Sequence, residues 1–200
     1  MLILASASPR RQQLMALITP QYRVCAPDVS EELPAGTLPE RAVQELALRK
    51  AQAVFDQSGG GEVVIGADTV VVLDRKILGK PASRTQAREM LGQLSGRAHL
   101  VLTGVAVIGP DGVYEVFHCS TQVHFLPIDP VEIEEYLKTG EPMDKAGAYG
   151  IQGQAARYIN RIEGDYFNVM GLPVSRLYQT LKKGGFLPQN PEKQKNIANL

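Results

Sequence analysis

The 200-residue sequence contains no tryptophan, only two cysteines and three histidines, and no surplus of either charge: 21 Lys plus Arg stand against 21 Asp plus Glu. Proteins that coat nucleic acid normally carry a basic excess. The balance argues against general nucleic-acid binding and leaves room for a local basic pocket. No apolar run approaches the roughly 18 residues that a membrane span needs, so no membrane association is expected. Met1 to Ser8 lack the basic segment and the long apolar stretch of a signal peptide. Cys25 and Cys119 lie in apolar, strand-like surroundings. They read as buried structural thiols of a reducing compartment, and the expected location is cytoplasmic. His99, His118 and His124 have no metal-ligand spacing; the last two share strand parity and read as structural. Three motifs are also missing. There is no G-x-x-x-x-G-K-[ST], no G-x-x-G after Gly59–Gly61 to open a nucleotide-binding helix, and no G-x-S-x-G.

What is present is a chain able to bury a real core, with 44% apolar and 21% charged residues. Its length suits one large domain or two lobes sharing a sheet. A strand is expected over Met1–Ala5. A helix follows from Ser8 as cap and Pro9 as first residue to about Ile18, with Leu14, Leu17 and Ile18 on one side. "PERAVQELALRKAQAVF" predicts a helix from Pro39 to Phe55. "EVVIGADTVVVLD" is β-branched and apolar on both faces, as a central strand is. A helix is expected over residues 84–94, and Asp111-Gly112 marks a hairpin. Asp129, Pro130 and Glu132 open a capped helix that closes on Gly140. A Gly-rich polar loop over residues 140–154, a strand near Ala155–Ile162, a turn at Gly164-Asp165 and a helix from Pro173 to Lys183 complete the pattern. The hairpin is antiparallel, so the expectation is a mixed α/β sheet. One domain spans 1–185, with a polar tail over 186–200.

Several residues resist explanation by packing alone. Arg10 and Arg11 stand on the first turn of a helix, where the dipole disfavours cations. Something negative joining them there would remove the conflict. Lys50 lies on the apolar stripe of its helix, either snorkelling at the edge or pointing into a pocket. Asp68 interrupts a run that otherwise buries both faces, and a buried carboxylate is costly unless paired, hydrogen-bonded or metal-bound. It is either a structural residue at a strand end or part of a ligand site, since strand ends of α/β sheets are where ligands bind. Gly66 beside it permits a bulge or a close backbone approach. Lys80 sits on a stiff Gly-Lys-Pro loop, as a surface lysine or a second pocket cation. "EPMDKAGAYGIQG" carries enough glycine to let backbone approach a ligand. Phosphate binding unites these features. Arg10 and Arg11 with free helix N–H groups form an anion site, Lys50 and Lys80 add point charges, and Asp68 with Glu31 could hold a divalent metal on the same phosphates.

Seven stretches, "LASASPRR", "ELALRKA", "GADTVVVLD", "LGKP", "LSGRAHLVLTGVAV", "EPMDKAGAYGIQG" and "GDYFNVMGLP", resemble the Maf family of nucleotide pyrophosphatases. They fall in the family's order over about Leu2 to Leu181. The resemblance implies a two-lobed α/β fold with an elongated mixed sheet and a cleft between lobes, related to the inosine-triphosphate pyrophosphatases. It implies hydrolysis of nucleoside triphosphates to monophosphate and pyrophosphate with Mg²⁺ or Mn²⁺, by a homodimer. Carried over residue by residue, Asp68 matches the proton acceptor, and Ser8, Arg10, Arg11, Glu31, Lys50 and Lys80 match the phosphate and metal cluster. Arg10, Thr69 and Gln152 match the marks of the dTTP/UTP branch. Ser30 departs from the family, which often has Asp there. An alternative role is a nucleotide- or nucleic-acid-binding regulator of cell division.

Overall fold

The run Val63–Leu73 is apolar on both sides and becomes the strand around which the molecule is built. The computed structural model describes residues 1–187. In chain order these form β1 (Leu2–Ala5), α1 (Pro9–Ile18), β2 (Tyr22–Val24), α2 (Pro39–Ser58), β3 (Val63–Leu73), β4 (Lys76–Leu78), α3 (Arg84–Leu94), β5 (Ala98–Ile108), β6 (Tyr114–Phe125), α4 (Pro130–Lys138), β7 (Ile159–Glu163), α5 (Tyr166–Met170) and α6 (Val174–Lys183). The strands make one mixed sheet in the order β2-β1-β3-β5-β6-β7, with β4 added to the far end of β3. β1 runs parallel to β2 and β3; the remaining pairings are antiparallel.

The long strands give the sheet two ends, and each end has its own core. Side chains alternate across a strand, so Val63, Ile65 and Ala67 share a face. That face packs with Leu14, Met15, Leu172, Leu177 and Leu181 of the first lobe. Further along the same face, Val71 and Leu73 pack with Leu91, Leu94, Phe125 and Tyr136 of the second lobe. Thr69 stands between the two cores. The opposite face is covered by α2, whose Ala47, Ala51 and Val54 pack on Ile3, Val64 and Ala106.

Two glycines determine how closely α2 lies. A β-carbon at Gly66 would stand 2.2 Å from the Ala47 carbonyl oxygen, and one at Gly104 would stand 2.2 Å from that of Val43. The helix backbone therefore rests directly on the sheet, and Gly66 serves close approach rather than a bulge: β3 keeps an unbroken register with β5.

The pairing of β3 also creates the cleft. β1 ends opposite Gly66, and β4 reaches back only as far as Val71, opposite Leu78. Along this edge Ala67 to Val70 have no strand beside them. Asp68 and Thr69 are thus presented at a gap between two lobes, a position where α/β sheets bind ligands.

Several local expectations change. Leu17 of α1 is exposed, and Leu14 and Met15 form its buried side instead, because the helix packs by only one narrow stripe. Ser8 occupies the cap position but makes no side-chain capping bond. The stretch 140–154 is not open loop; it contains short 3₁₀ turns at Glu141–Asp144 and Ala146–Ala148. The strand expected near Ala155–Ile162 begins only at Ile159, since Gln154–Tyr158 is a further 3₁₀ turn that buries Ala155 and Tyr158. Asp165 caps an unforeseen helix, α5, by accepting from the Phe167 N–H at 2.8 Å. Cys25 and Cys119 are free and half-buried rather than buried. Phe186 and Leu187 pack against the first core; the rest of the expected tail lies outside the described residues. Among the described residues no helix is long and apolar enough to cross a membrane.

Candidate active site

A cleft of about 1160 Å³ opens at the gap in the sheet. Its walls include Ser8, Arg10, Arg11, Glu31, Lys50, Asp68, Thr69, Lys80 and Gln152, so every residue singled out from the sequence meets in one place. Four of these are cations and two are carboxylates; with Lys145, Glu141 and Asp144, which also line the cleft, the surplus is one positive charge in a protein that is neutral as a whole.

Asp68 lies on the face of β3 that α2 covers, and the close seat of α2 brings Lys50 over it. The Lys50 ammonium donates to Asp68 Oδ1 at 2.6 Å and pairs with Glu31 Oε1 at 2.6 Å. Lys50 and Asp68 are both nearly buried, with side-chain exposures of 12% and 11%. A buried pair is tolerable only when well hydrogen-bonded, and sharing one ammonium between two carboxylates satisfies that. The hydrogen bond from Lys50 holds Glu31 below the usual carboxylate range, against a smaller effect of burial.

On the other face a hydrogen-bonded chain runs from α1 into the sheet. Arg11 donates from Nε to the Gly171 carbonyl at 2.8 Å and from Nη2 to the Thr69 hydroxyl at 2.9 Å. Thr103 donates to the Asn168 carbonyl at 2.8 Å. The 3.0 Å contact between the two threonines must therefore run from Thr69 to Thr103. Asn168 is completely buried and its amide donates to Val101 and Thr121. Burial pushes the Arg11 guanidinium down from its ordinary value, and the charge of Asp68 opposes this. Arg11 is thus largely committed to the protein. Arg10 and Lys80 have no ion-pair or hydrogen-bond partner for their side chains among the described residues, and both face the cleft. Ser8 makes no side-chain cap bond, so the first N–H groups of α1, which borders the same cleft, have no side-chain cap from Ser8.

The far wall comes from the Gly-rich stretch. Gln152 is exposed at the tip of a turn closed by the Gly153 N–H donating to the Gly150 carbonyl at 3.1 Å. Glu141, Asp144 and Lys145 also line the cleft and were not singled out from the sequence; Tyr149 lines it too. Lys145 donates to the Glu141 carbonyl at 2.8 Å and to Asp144 at 2.6 Å. Burial raises Asp144, but the hydrogen bond and charge of Lys145 outweigh it and hold the carboxyl below its ordinary value. The only signal for these residues was their placement within "EPMDKAGAYGIQG"; which of them would face inward depended on the 3₁₀ turns.

The carboxylates of Asp68 and Glu31 converge on the Lys50 ammonium, and hard carboxylate oxygens are the donor type that Mg²⁺ or Mn²⁺ takes. Among the described residues there is no cluster of three or more Asp, Glu, His or Cys side chains able to hold a metal. The donors fit a cation that completes its shell with phosphate oxygens and water.

Fold and cleft together define a mixed-sheet α/β protein whose gap between lobes gathers Arg10, Arg11, Lys50 and Lys80 around Asp68. The chain belongs to the Maf family: it matches the Maf-like protein family over residues 1–184. It is 52% identical over 185 residues to a protein from Geobacillus sp. (strain WCH70) named dTTP/UTP pyrophosphatase, covering 92% of this chain and 98% of that one. A protein of the same name from Symbiobacterium thermophilum is 51% identical, with coverage of 92% and 94%. Among solved structures, the Ham1 protein of Coxiella burnetii aligns over 91% of this chain and 98% of its own with a TM-score of 0.53 at 15% identity. That of Staphylococcus aureus aligns over 92% and 98% with a TM-score of 0.51 at 18% identity. These two share the fold.

Proposed function

We propose that this protein hydrolyses dTTP and UTP to the nucleoside monophosphate and pyrophosphate, and so removes unwanted nucleotides before they enter nucleic acid. The observation that carries the reading is the convergence of Asp68, Lys50 and Glu31 with Arg10, Arg11 and Lys80 at the gap in the sheet. The names of the relatives at 52% and 51% identity support the substrates.

In this reading the triphosphate lies between the start of α1 and the Lys80 loop. Arg10 and Lys80, unpaired among the described residues, take its oxygens together with the N–H groups of α1 and the Ser8 hydroxyl. Lys50 and Arg11 are held by the protein and contribute fixed positive charge that needs no reorganisation as charge builds on the phosphates. Thr69 acts at one remove: its donor goes to Thr103 and it accepts from Arg11, so it sets where Arg11 stands. Asp68 receives the proton of a water that attacks the α-phosphorus, and pyrophosphate leaves. Asp68 and Glu31 would hold a divalent cation, which when bound would supply charge neutralisation on the phosphates. Gln152 stands across the cleft as the residue that reads the pyrimidine edge. We place the enzyme in the cytoplasm as a homodimer, as the family resemblance implies.

Pyrophosphate release from a panel of UTP, dTTP, CTP, ATP, GTP and ITP, with Mg²⁺ or Mn²⁺ and with chelator, tests this. UTP and dTTP should be turned over best and chelator should stop the reaction. Absence of release from every nucleotide would sink the enzymatic reading and leave the regulator.

A further inference from the structure

The turn that carries Gln152 is not itself regular structure, yet it is held on both sides. Glu141 is the brace. Its Oε2 accepts from the Gln154 N–H at 3.0 Å, just beyond the turn. Its Oε1 accepts from the Tyr136 hydroxyl at 2.8 Å. That hydroxyl in turn accepts from the Gly150 N–H at 3.3 Å, at the start of the turn. The two ends of Gly150–Gln154 are therefore pinned, one directly and one through Tyr136, to a single carboxylate. The fit is close: a β-carbon at Gly153 would stand 2.0 Å from Glu141 Oε1, so the glycine leaves room for the carboxylate to lie against the turn. Lys145 completes the frame: its ammonium donates to the Glu141 carbonyl, and a β-carbon at Gly150 would stand 2.7 Å from its Cε. Tyr136 is completely buried on α4, a helix anchored by its capping box. Burial, reinforced by Glu141, drives its hydroxyl upward from the ordinary range, so it remains a donor.

We propose that Glu141, acting with Tyr136, positions Gln152 and thereby sets base selectivity, a role that rests on the assignment of Gln152 to base reading. Neither residue needs to touch substrate. The carboxylate is suited to the task because both of its oxygens must accept at once. A carboxamide offers one acceptor and sets an NH₂ group against either a donor N–H or the tyrosine hydroxyl.

The test measures kcat/KM for UTP, CTP and ribose 5-triphosphate in the wild type, Glu141→Gln and Tyr136→Phe, with thermal unfolding of each. Ribose 5-triphosphate has the phosphates and no base. In both variants the UTP/CTP ratio should fall about 10- to 100-fold, the scale on which a small misplacement acts. Turnover of ribose 5-triphosphate should stay within about twofold of the wild type. If one variant does not fold, the other carries the measurement. Retention of the full ratio by a folded variant overturns the brace. So does a parallel loss on all three substrates, which would mark a merely structural role. A wild type without preference for UTP over CTP overturns the base-reading assignment, and the brace with it.

Discussion

The two walls of the cleft are built differently. The wall expected to meet phosphate is mostly regular structure, the start of α1, the middle of α2 and the gap in β3, with Glu31 and Lys80 brought in on loops. The charges of Arg10, Arg11, Lys50 and Asp68 are set by helix and strand geometry and by backbone packed on glycine. The opposite wall is a run of 3₁₀ turns whose shape depends on side chains bonding to backbone, chiefly Glu141, Tyr136 and Lys145. Charge stabilisation needs groups that do not reorganise, and long elements provide them. Discrimination between similar bases needs a contact whose placement can change by small increments, and a braced turn allows that. The first wall is therefore expected to govern rate and the second to govern preference.

The largest expected effect breaks the first wall at its centre. Asp68→Asn keeps the volume and loses the base, and removal of a positioned general base lowers turnover by about 10²–10⁴-fold. Glu31 still pairs with Lys50 in the variant, so the fold should persist. Loss of one charged partner should still cost about 1–3 kcal/mol in chemical denaturation. Near-normal pyrophosphate release would remove Asp68 from its role.

Next comes the seat of α2. Gly66→Ala forces a β-carbon against the Ala47 carbonyl, a backbone clash that a rotamer change does not relieve. Overpacking costs about 1–3 kcal/mol, and this variant belongs at the upper end. It should also lower kcat by moving Lys50 off Asp68. An unchanged unfolding midpoint would mean that α2 is not held by this contact.

The second wall has a pH weakness. His99 is buried beneath it, with Nε2 2.7 Å from the Tyr149 hydroxyl of the cleft. Burial, then the neighbouring His124, pushes the imidazole down to about 4. The folded value is below the unfolded one near 6.5, so the native state prefers neutral His99. Above pH of about 6.5 nothing is lost; as pH falls the unfolded chain binds the proton first, and stability drops by about 3 kcal/mol by pH 4. Unfolding measured at pH 7 and pH 4.5 should show this slope in the wild type and a shallower one in His99→Gln. Equal slopes would remove His99 as the cause.

The smallest effect is on preference alone. A uracil or thymine edge places carbonyl acceptors around an N3–H donor, and the Gln152 carboxamide can answer part of both. Cytosine leaves it mispaired at about 1–3 kcal/mol, or about 5- to 150-fold in kcat/KM. Gln152→Leu should shrink the UTP/CTP ratio by that range and leave stability unchanged, since the side chain is exposed. A variant that keeps the whole ratio would show that the base is read elsewhere.

Legibility followed the same division. Asp68, Lys50, Arg10 and Arg11 stood out because each broke a periodic pattern: an acid in an apolar strand, cations on the wrong end of a helix or on its apolar stripe; Lys80 stood out by its place between a glycine and a proline. Periodicity is a property of neighbours in the chain, so a single sequence displays it. Glu141 broke no pattern. Its partners are Tyr136 and Gln154, and a polar residue in a polar, Gly-rich stretch has no expected partner to be missing. The strand start at Ile159 moved for a related reason: Ala155 and Tyr158 were buried by turns, which short-range alternation does not distinguish from a strand.

By itself the sequence determined the central strand, the helix over Lys50, the hairpin at Asp111-Gly112, the capping box of α4 and the identity of the charged residues, because these depend on local spacing and on the cost of placing charge where apolar side chains belong. Only the tertiary structure decided that Arg11 is committed to Gly171 and Thr69 while Arg10 is left to the cleft. It alone decided that Gly66 and Gly104 exist to seat a helix backbone, and that β3 lies bare between Gly66 and Val71. Each of these joins residues far apart in the chain. A hydrogen bond or a steric contact acts over a few ångströms of space, whatever the distance along the sequence.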